Sequence, residues 1–154
     1  MIFKRYNTPM KTLRLIAGLT TIIAATALAA SGDRIEAKDL KNKVSLTLGT
    51  KGTVQFKQKG DELSEATIAK DPEGKLPGIG VEFKKEPEFF ALMLQNRLPK
   101  ALRYRAALRL KGRKEYVETS LIVPVMAGLF SGESWQDPIE ELVLFDFKLT
   151  DEKL

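Results

Sequence analysis

Apolar and polar residues alternate along much of the chain beyond residue 43, in short segments separated by turn residues. A period of two places neighbouring side chains on opposite faces, so these segments predict strands with one buried face. The predicted strands cover approximately residues 44–48, 54–59, 62–69, 79–84, 116–125 and 142–149. The turn signals between them are Gly60-Asp61, which suits a tight hairpin, the sequence DPEG at 71–74 and the sequence LPG at 76–78.

Two further segments are strongly apolar. The sequence FFALMLQN at 89–96 is apolar on both faces, which suits a central strand, although a short helix has nearly the same pattern. In the segment 142–149, alternation predicts that Val143, Phe145, Phe147 and Leu149 share one face, with Asp146 and Lys148 on the other. Several short strands without a long amphipathic helix predict a mainly β fold: a single antiparallel β-sandwich, immunoglobulin-like, of about seven strands.

The most basic stretch of the chain, ALRYRAALRLKGRK at 101–114, can be compared with both regular templates. A strand places five apolar residues on one face: Leu102, Tyr104, Ala106, Leu108 and Leu110. The cations Arg103, Arg105, Arg109 and Lys111 then lie on the other face, whereas a helix would mix the two classes. The pattern therefore favours a strand, with a tight turn at Gly112-Arg113 and a hairpin over residues 101–125. The absence of β-branched residues argues for the helix.

The predicted row of Arg103, Arg105, Arg109 and Lys111 has two interpretations. It is a solvated strand face balanced by acids on a neighbouring strand, or a docking face for an acidic protein or an anionic envelope polymer. Acids crowd the end of the chain, at Glu133, Asp137, Glu140, Glu141, Asp146, Asp151 and Glu152. No nucleic-acid partner is expected, because single-strand binding needs aromatic side chains on the basic face and Tyr104 points away from it.

The N-terminus has the three-part layout of a secretory signal peptide. Residues 1–14 hold Lys4, Arg5, Lys11 and Arg14 without an acid, and residues 15–30 are uncharged. Ala27 and Ala29 match the small-x-small pattern of a cleavage site. The uncharged run is shorter than the span of about 20 residues that a membrane helix needs, which favours cleavage over an uncleaved anchor.

Cleavage changes the meaning of the basic composition. The formal charge of +5 falls to +1, because residues 1–29 carry four basic residues and no acid. We therefore predict an exported protein, periplasmic or extracellular, with three parts: the signal peptide at 1–29, a polar N-terminal arm at 30–43 and the β-sandwich domain at 44–154.

The chain contains no His and no Cys, which excludes Ser-His and Cys-His nucleophiles and thiolate or imidazole metal sites. We expect no catalytic residue, no metal and no cofactor. The chemistry that remains is that of carboxylates, which can hydrolyse glycosides when two acids converge. Glu62 with Glu65 and Glu140 with Glu141 are pairs by sequence, in polar surroundings typical of solvated side chains.

The segment 124–139, PVMAGLFSGESWQDPI, is rich in hydrophobic residues although Gly and Pro predict an irregular loop there. Phe130 and Trp135 either fold back to plug the end of the sandwich or stay exposed as a contact tip. Risk of aggregation in an isolated domain favours the plug.

These patterns favour an exported, non-catalytic binding or interaction module over an enzyme. The alternative is a small carboxylate-dependent hydrolase of envelope polymers. A structural accessory domain without a specific surface is a third hypothesis.

We predict that the exported protein begins at Ala30, because the small residues Ala27 and Ala29 precede that bond. Mass spectrometry of the protein from its native host should find this N-terminus. An intact N-terminus embedded in the membrane would support the anchor instead.

Overall fold

The structure, a computed structural model, describes residues 32–119 and 124–152, together with the backbone of residues 24–26. The predicted signal peptide therefore lies outside the described residues except for residues 24–26. Within these ranges the chain forms eleven strands and one short 3-10 helix at Ala37–Asp39. The strands are β1 (Ala24–Thr26), β2 (Arg34–Ile35), β3 (Val44–Leu46), β4 (Lys51–Lys59), β5 (Glu62–Ala69), β6 (Ile79–Lys85), β7 (Phe90–Asn96), β8 (Ala101–Leu110), β9 (Tyr116–Glu118), β10 (Phe130–Trp135) and β11 (Ile139–Thr150).

The strands form one open sheet in the order β1-β10-β7-β6-β4-β5-β11-β8-β9-β2, and β3 also pairs with β11. Every described pair is antiparallel except β1 with β10. The prediction of a mainly β, antiparallel fold is confirmed. The finer prediction of an immunoglobulin-like sandwich is not confirmed, because the described strands are joined in a single sheet. No helix in the described ranges has the length and hydropathy of a membrane span.

The sheet curls around one main core. Its inner face contributes buried side chains from almost every long strand, including Val54, Phe83, Leu94, Leu102, Trp135 and Leu144. Strands β8 and β10 are separated by five strands in the sheet order, yet Tyr104 on β8 donates a hydrogen bond to Glu133 on β10. Residues 125–129 cross the gap between the two ends, since Val125 bonds to Leu102 while the Asn96 side chain donates to Val125.

Strand β8 confirms the strand interpretation of the basic stretch. Leu102, Tyr104, Ala106 and Leu108 are buried in the main core, whereas Arg103 and Arg105 are exposed on the opposite face. The predicted hairpin continues as far as β9, where Ala107 pairs with Glu118. Residues 120–123, which the same prediction included, lie outside the described residues.

The prediction that Val143, Phe145, Phe147 and Leu149 share one face is wrong. The pairing of β11 with β8 shifts register between Phe145 and Lys148, and Asp146 has a φ of 54° there. A bulge of this kind adds one residue to a strand and reverses which side chains face inward. Phe147 and Leu149 therefore enter the main core, while Val143 and Phe145 lie on the outer face.

The outer face around Val143 and Phe145 has a small core of its own. Ala107 and Tyr116 complete it from the sheet, and Leu40 with Ile35 covers it from the N-terminal side. Part of the segment 30–43 is thus ordered: β2 pairs with β9, and the 3-10 helix leads to the buried Leu40.

The prediction that segment 124–139 is an irregular loop is wrong, because it contains β10. Its glycine at 132 faces Met93 on the neighbouring strand, where an added Cβ would lie 3.2 Å from the Met93 sulfur. The two aromatic residues behave differently: Trp135 is 1% exposed in the core, and Phe130 is 56% exposed.

Glu133 is the acid that the core encloses. It lies on the inward face of β10, and its carboxylate accepts the Tyr104 hydroxyl at 3.0 Å. Burial raises the pKa of Glu133 to about 7. The hydrogen bond from Tyr104 lowers the pKa and offsets only part of that rise. Burial also raises the pKa of Tyr104 well above its ordinary value, so the phenol remains protonated and can donate.

We predict that Glu133 makes the protein less stable as the pH rises. Its pKa is about 7 in the folded chain and 4.5 ordinarily, so between these two pH values the folded chain keeps a proton that the unfolded chain has released. The stability that comes from this proton is lost as the pH rises through about 7. The change amounts to roughly 3 kcal/mol. Urea unfolding between about pH 5 and pH 8 should show this slope for the native chain and a flatter one for Glu133→Gln.

The matched control is Glu88→Gln, which changes an exposed glutamate. It should keep the native slope. If Glu133→Gln showed the same slope as the native chain, a group other than Glu133 would be responsible for the pH dependence.

Candidate binding site

The structure places three of the four cations of the predicted basic row beside carboxylates. Each partner comes from a neighbouring strand or from the segment that follows β11. Lys111 lies in the turn after β8 and has no ion pair within the described residues. The partners are Glu152 for Arg103, Glu118 (2.6 Å) and Asp146 (3.9 Å) for Arg105, and Glu140 (2.7 Å) and Glu141 (2.9 Å) for Arg109. This is the arrangement that a balanced, solvated face requires.

Most of the acids in the two predicted pairs contact cations. Glu140 and Glu141 both bind the guanidinium of Arg109, and Glu65 binds Lys57 at 2.7 Å. In the part of the chain that the structure describes, no three side chains of the metal-binding types gather into one group. Three of the four acids selected for carboxylate chemistry, Glu65, Glu140 and Glu141, are therefore partners in ion pairs.

An open cleft of about 290 Å³ lies elsewhere, on the outer face of β4, β6, β7 and β10. We call it the Arg97 cleft. Its floor is the sheet and one wall is the loop that joins β5 to β6. The lining side chains and glycines include Lys51, Asp71, Pro72, Glu73, Gly74, Gly80, Glu82, Met93, Gln95, Arg97 and Phe130.

Strand register explains why the floor is hollow. Thr53, Gly80, Gln95 and Phe130 are successive partners across the four strands, so they form one transverse row. Gly80 contributes no side chain to that row. A Cβ added there would lie 2.6 Å from Nη2 of Arg97, so a larger residue would displace the guanidinium.

Arg97 follows β7 and reaches across the floor to the β5–β6 loop. Its Nη1 donates to Asp71 at 2.9 Å, to Thr53 at 3.1 Å and to the Leu76 carbonyl at 3.2 Å. Its Nε donates to Oε1 of Gln95 at 2.9 Å. Four acceptors thus hold one guanidinium in a fixed orientation. Without them, a side chain as flexible as arginine would sample many rotamers.

Asp71 is the anchor of this network. Its carboxylate accepts the Thr53 hydroxyl at 2.6 Å and the backbone amides of Lys75 and Leu76 at 3.0 and 3.1 Å. The Thr53 hydrogen bond, with those amides and Arg97, lowers the pKa of Asp71 to about 2 although burial opposes it. Asp71 therefore stays ionised and fastens the loop to the sheet.

Two donors in the cleft are left over after this network is complete. The hydrogen bonds of this network use Nε and Nη1 of Arg97 and Oε1 of Gln95, and none of them uses Nη2 of Arg97 or the amide nitrogen of Gln95. The amide nitrogen is identified as the free end because Oε1 of Gln95 already accepts from Arg97. Each nitrogen carries two N–H bonds, and both side chains line the cleft, so the site keeps donors that this network does not use.

The charges around the cleft balance. Arg97 pairs with Asp71 at 2.9 Å, Lys75 with Glu73 at 2.6 Å and Lys51 with Glu82 at 3.6 Å. The last two pairs are exposed at the rim, where solvent screens them. The site therefore combines fixed donors, rim carboxylates and the exposed Phe130 ring without a strong net charge.

Of the residues in this site, only Phe130 is predicted as a contact from the sequence. The pattern around Asp71 and Gly74 predicts a turn, and nothing in the sequence marks Arg97. A signal was present at Gly80, where glycine stands at an outward position of an alternating strand. Comparison of the chain with protein-family models, curated proteins and solved structures gave no match.

We predict that the double replacement Arg103→Glu and Arg105→Glu leaves the fold intact. Exposed ion pairs contribute about 0–1 kcal/mol each, and the new glutamates would face acids on adjacent strands, so a loss of roughly 1–2 kcal/mol is expected. Urea unfolding at low and high salt measures it, and salt should restore part of the loss.

Lys111→Glu is the control, because this exposed turn residue lacks an ion pair within the described ranges. It should change stability by less than about 0.5 kcal/mol. Loss of the β-sheet circular dichroism signal in the double variant would show that this face supports the fold.

Proposed function

We propose that the protein is an exported, periplasmic or extracellular, non-catalytic binding module whose contact site is the Arg97 cleft. The observation that carries the proposal is a guanidinium fixed by four acceptors whose remaining nitrogen borders an open cleft. A concave site with few oriented polar groups beside an apolar surface is typical of ligand binding.

The exposed aromatic ring at the cleft supports a contact role. Phe130 is 56% exposed at the start of β10 and lines the cleft, while Trp135 at the other end of the strand is buried. An exposed large aromatic on a rigid strand provides contact area at little entropic cost. Of the two roles predicted for this segment, we therefore propose the structural plug for Trp135 and the binding contact for Phe130.

The proposal moves the expected contact away from the basic row. Arg103, Arg105 and Arg109 already have carboxylate partners, which an acidic protein or an anionic envelope polymer would have to displace. Export follows from the signal-peptide pattern, and the immunoglobulin-like sandwich remains a prediction from the strand pattern. Binding at the cleft needs neither the sandwich nor the basic row.

The alternative is a carboxylate-dependent hydrolase of envelope polymers, and one observation favours it. Glu73 and Glu82 both line the cleft, as a pair of catalytic carboxylates would. Each is ion-paired with a lysine at the exposed rim, whereas the acid with a raised pKa, Glu133, is enclosed in the core. General acid catalysis needs a raised pKa at the site of reaction, which makes binding the better-supported function.

We predict that Phe130→Ser weakens retention of the protein on an envelope fraction from its host. Loss of an exposed aromatic contact should lower the retained fraction about fivefold or more. Stability should stay within about 0.5 kcal/mol of the native chain, because Phe130 lies at the surface. Sedimentation of the full chain with the fraction, followed by quantitative blotting, gives the retained amount.

Phe89→Ser is the matched control, because Phe89 is 39% exposed and does not line the cleft. It should bind as the native chain does. Equal retention of all three proteins would contradict the assignment of the site, and release of shortened polymer would support the hydrolase.

A further inference from the structure

We infer that the ligand of the Arg97 cleft is an uncharged glycan, with one sugar ring seated on the floor beside Phe130. The inference rests on the proposed binding function and adds the chemistry of the ligand. It follows from the balance of charge, the unused hydrogen-bonding groups and the shape of the site, taken together.

The charge of the site selects against strongly charged polymers. Three cations and three carboxylates stand around the cleft in the pairs of Arg97 with Asp71, Lys75 with Glu73 and Lys51 with Glu82. A polyanion would meet Glu73 and Glu82 at the rim, and a polycation would meet Lys51 and Arg97. A neutral ligand leaves all three ion pairs in place.

The hydrogen-bonding groups fit hydroxyls. Nη2 of Arg97 and the amide nitrogen of Gln95 offer donors on the floor, while the carboxylates of Glu73 and Glu82 offer acceptors at the rim. A hydroxyl both donates and accepts, so one sugar ring can satisfy both kinds of group at once. A carboxylate ligand could use the donors only, and a single guanidinium nitrogen denies it the bidentate contact that arginine usually makes.

The surfaces fit a sugar ring as well. Phe130 and Gln95 are cross-strand partners, so the ring stands beside the floor donors. The face of an aromatic ring is electronegative and attracts the C–H groups that cover one side of a pyranose. A volume of about 290 Å³ open to solvent accommodates one ring of a chain whose other units extend outside.

The site is formed before the ligand arrives. The guanidinium of Arg97 is held by four acceptors, and Gly80 leaves the space that its Nη2 occupies. Binding therefore requires little ordering of the protein, which lowers its entropic cost.

The test uses the full chain and two neutral probes, the linear β-linked tetrasaccharides of glucose and of N-acetylglucosamine. A polyglutamate peptide serves as the anionic comparison. In ¹H–¹⁵N NMR titrations, at least one sugar should shift the Gln95 side-chain amide and the Arg97 Nε signal. Affinity should change less than twofold between about 50 and about 500 mM NaCl, since no net charge is neutralised.

Two variants locate the contact. Phe130→Ser and Gln95→Ala should each weaken sugar binding about tenfold, the effect of losing one good contact. Phe89→Ser should leave it unchanged. Gln95→Ala is chosen instead of a change at Arg97, because Arg97 also fastens the β5–β6 loop and its loss could unfold the region.

Each outcome separates this inference from the proposed function. If neither sugar binds, or if binding ignores both variants, the glycan assignment is overturned. If polyglutamate alone binds, with strong salt dependence, the ligand is an acidic chain. In either case, retention on the envelope fraction that depends on Phe130 would still support the binding module. Retention that does not depend on Phe130 would contradict both the binding module and the glycan assignment.

Discussion

Strand β11 is the element on which the rest of the structure depends. It runs from Ile139 to Thr150 and pairs with β8 along one edge, while β3 and β5 pair with its other edge. The bulge at Asp146 lets one strand serve two cores, because residues on either side of it send apolar side chains to opposite faces. Without that extra residue, alternation would place Phe147 and Leu149 on the outer face with Phe145.

The outer face of the sheet differs between its two halves. Around Val143 and Phe145 the outer face is apolar and is covered by Ile35 and Leu40 from the N-terminal arm. On the outer face of β4, β6, β7 and β10, glycine and polar residues such as Gly80 and Gln95 stand beside the apolar Met93 and Phe130. The Arg97 cleft occupies that part.

Local pattern predicted most of the strands because alternation is set by one buried face, as in β8, where the core face is apolar at every position from Leu102 to Leu108. It failed at Asp146, because a bulge breaks the period without a glycine to mark it. It failed at β10, where Gly132 signals a loop but serves instead to admit the Met93 side chain.

The candidate site was predictable only in part, for a related reason. Arg97 and Asp71 are 26 positions apart, and Thr53 is 44 positions from Arg97. Their network arises only when the sheet aligns β4 with β6 and β7. Each residue alone resembles an ordinary turn or surface residue. Phe130 was found because an apolar residue among glycines stands out locally.

The edge of β10 connects the predicted export to the site. In the described backbone, residues 24–26 pair with Gly132, Glu133 and Ser134 along the edge of β10 that faces away from β7. Cleavage after Ala29 would remove these residues and leave that edge without its described partner.

Unpaired edges invite association with other strands, and an inward-pointing charge is one means by which proteins discourage it. Glu133 meets that description, since its side chain points into the core from the middle of this edge segment. Residues 24–26 pair with this segment even so, which shows that the buried acid does not by itself prevent backbone pairing at this edge. Cleavage would therefore expose an edge that is able to pair, on the strand that begins at the exposed Phe130.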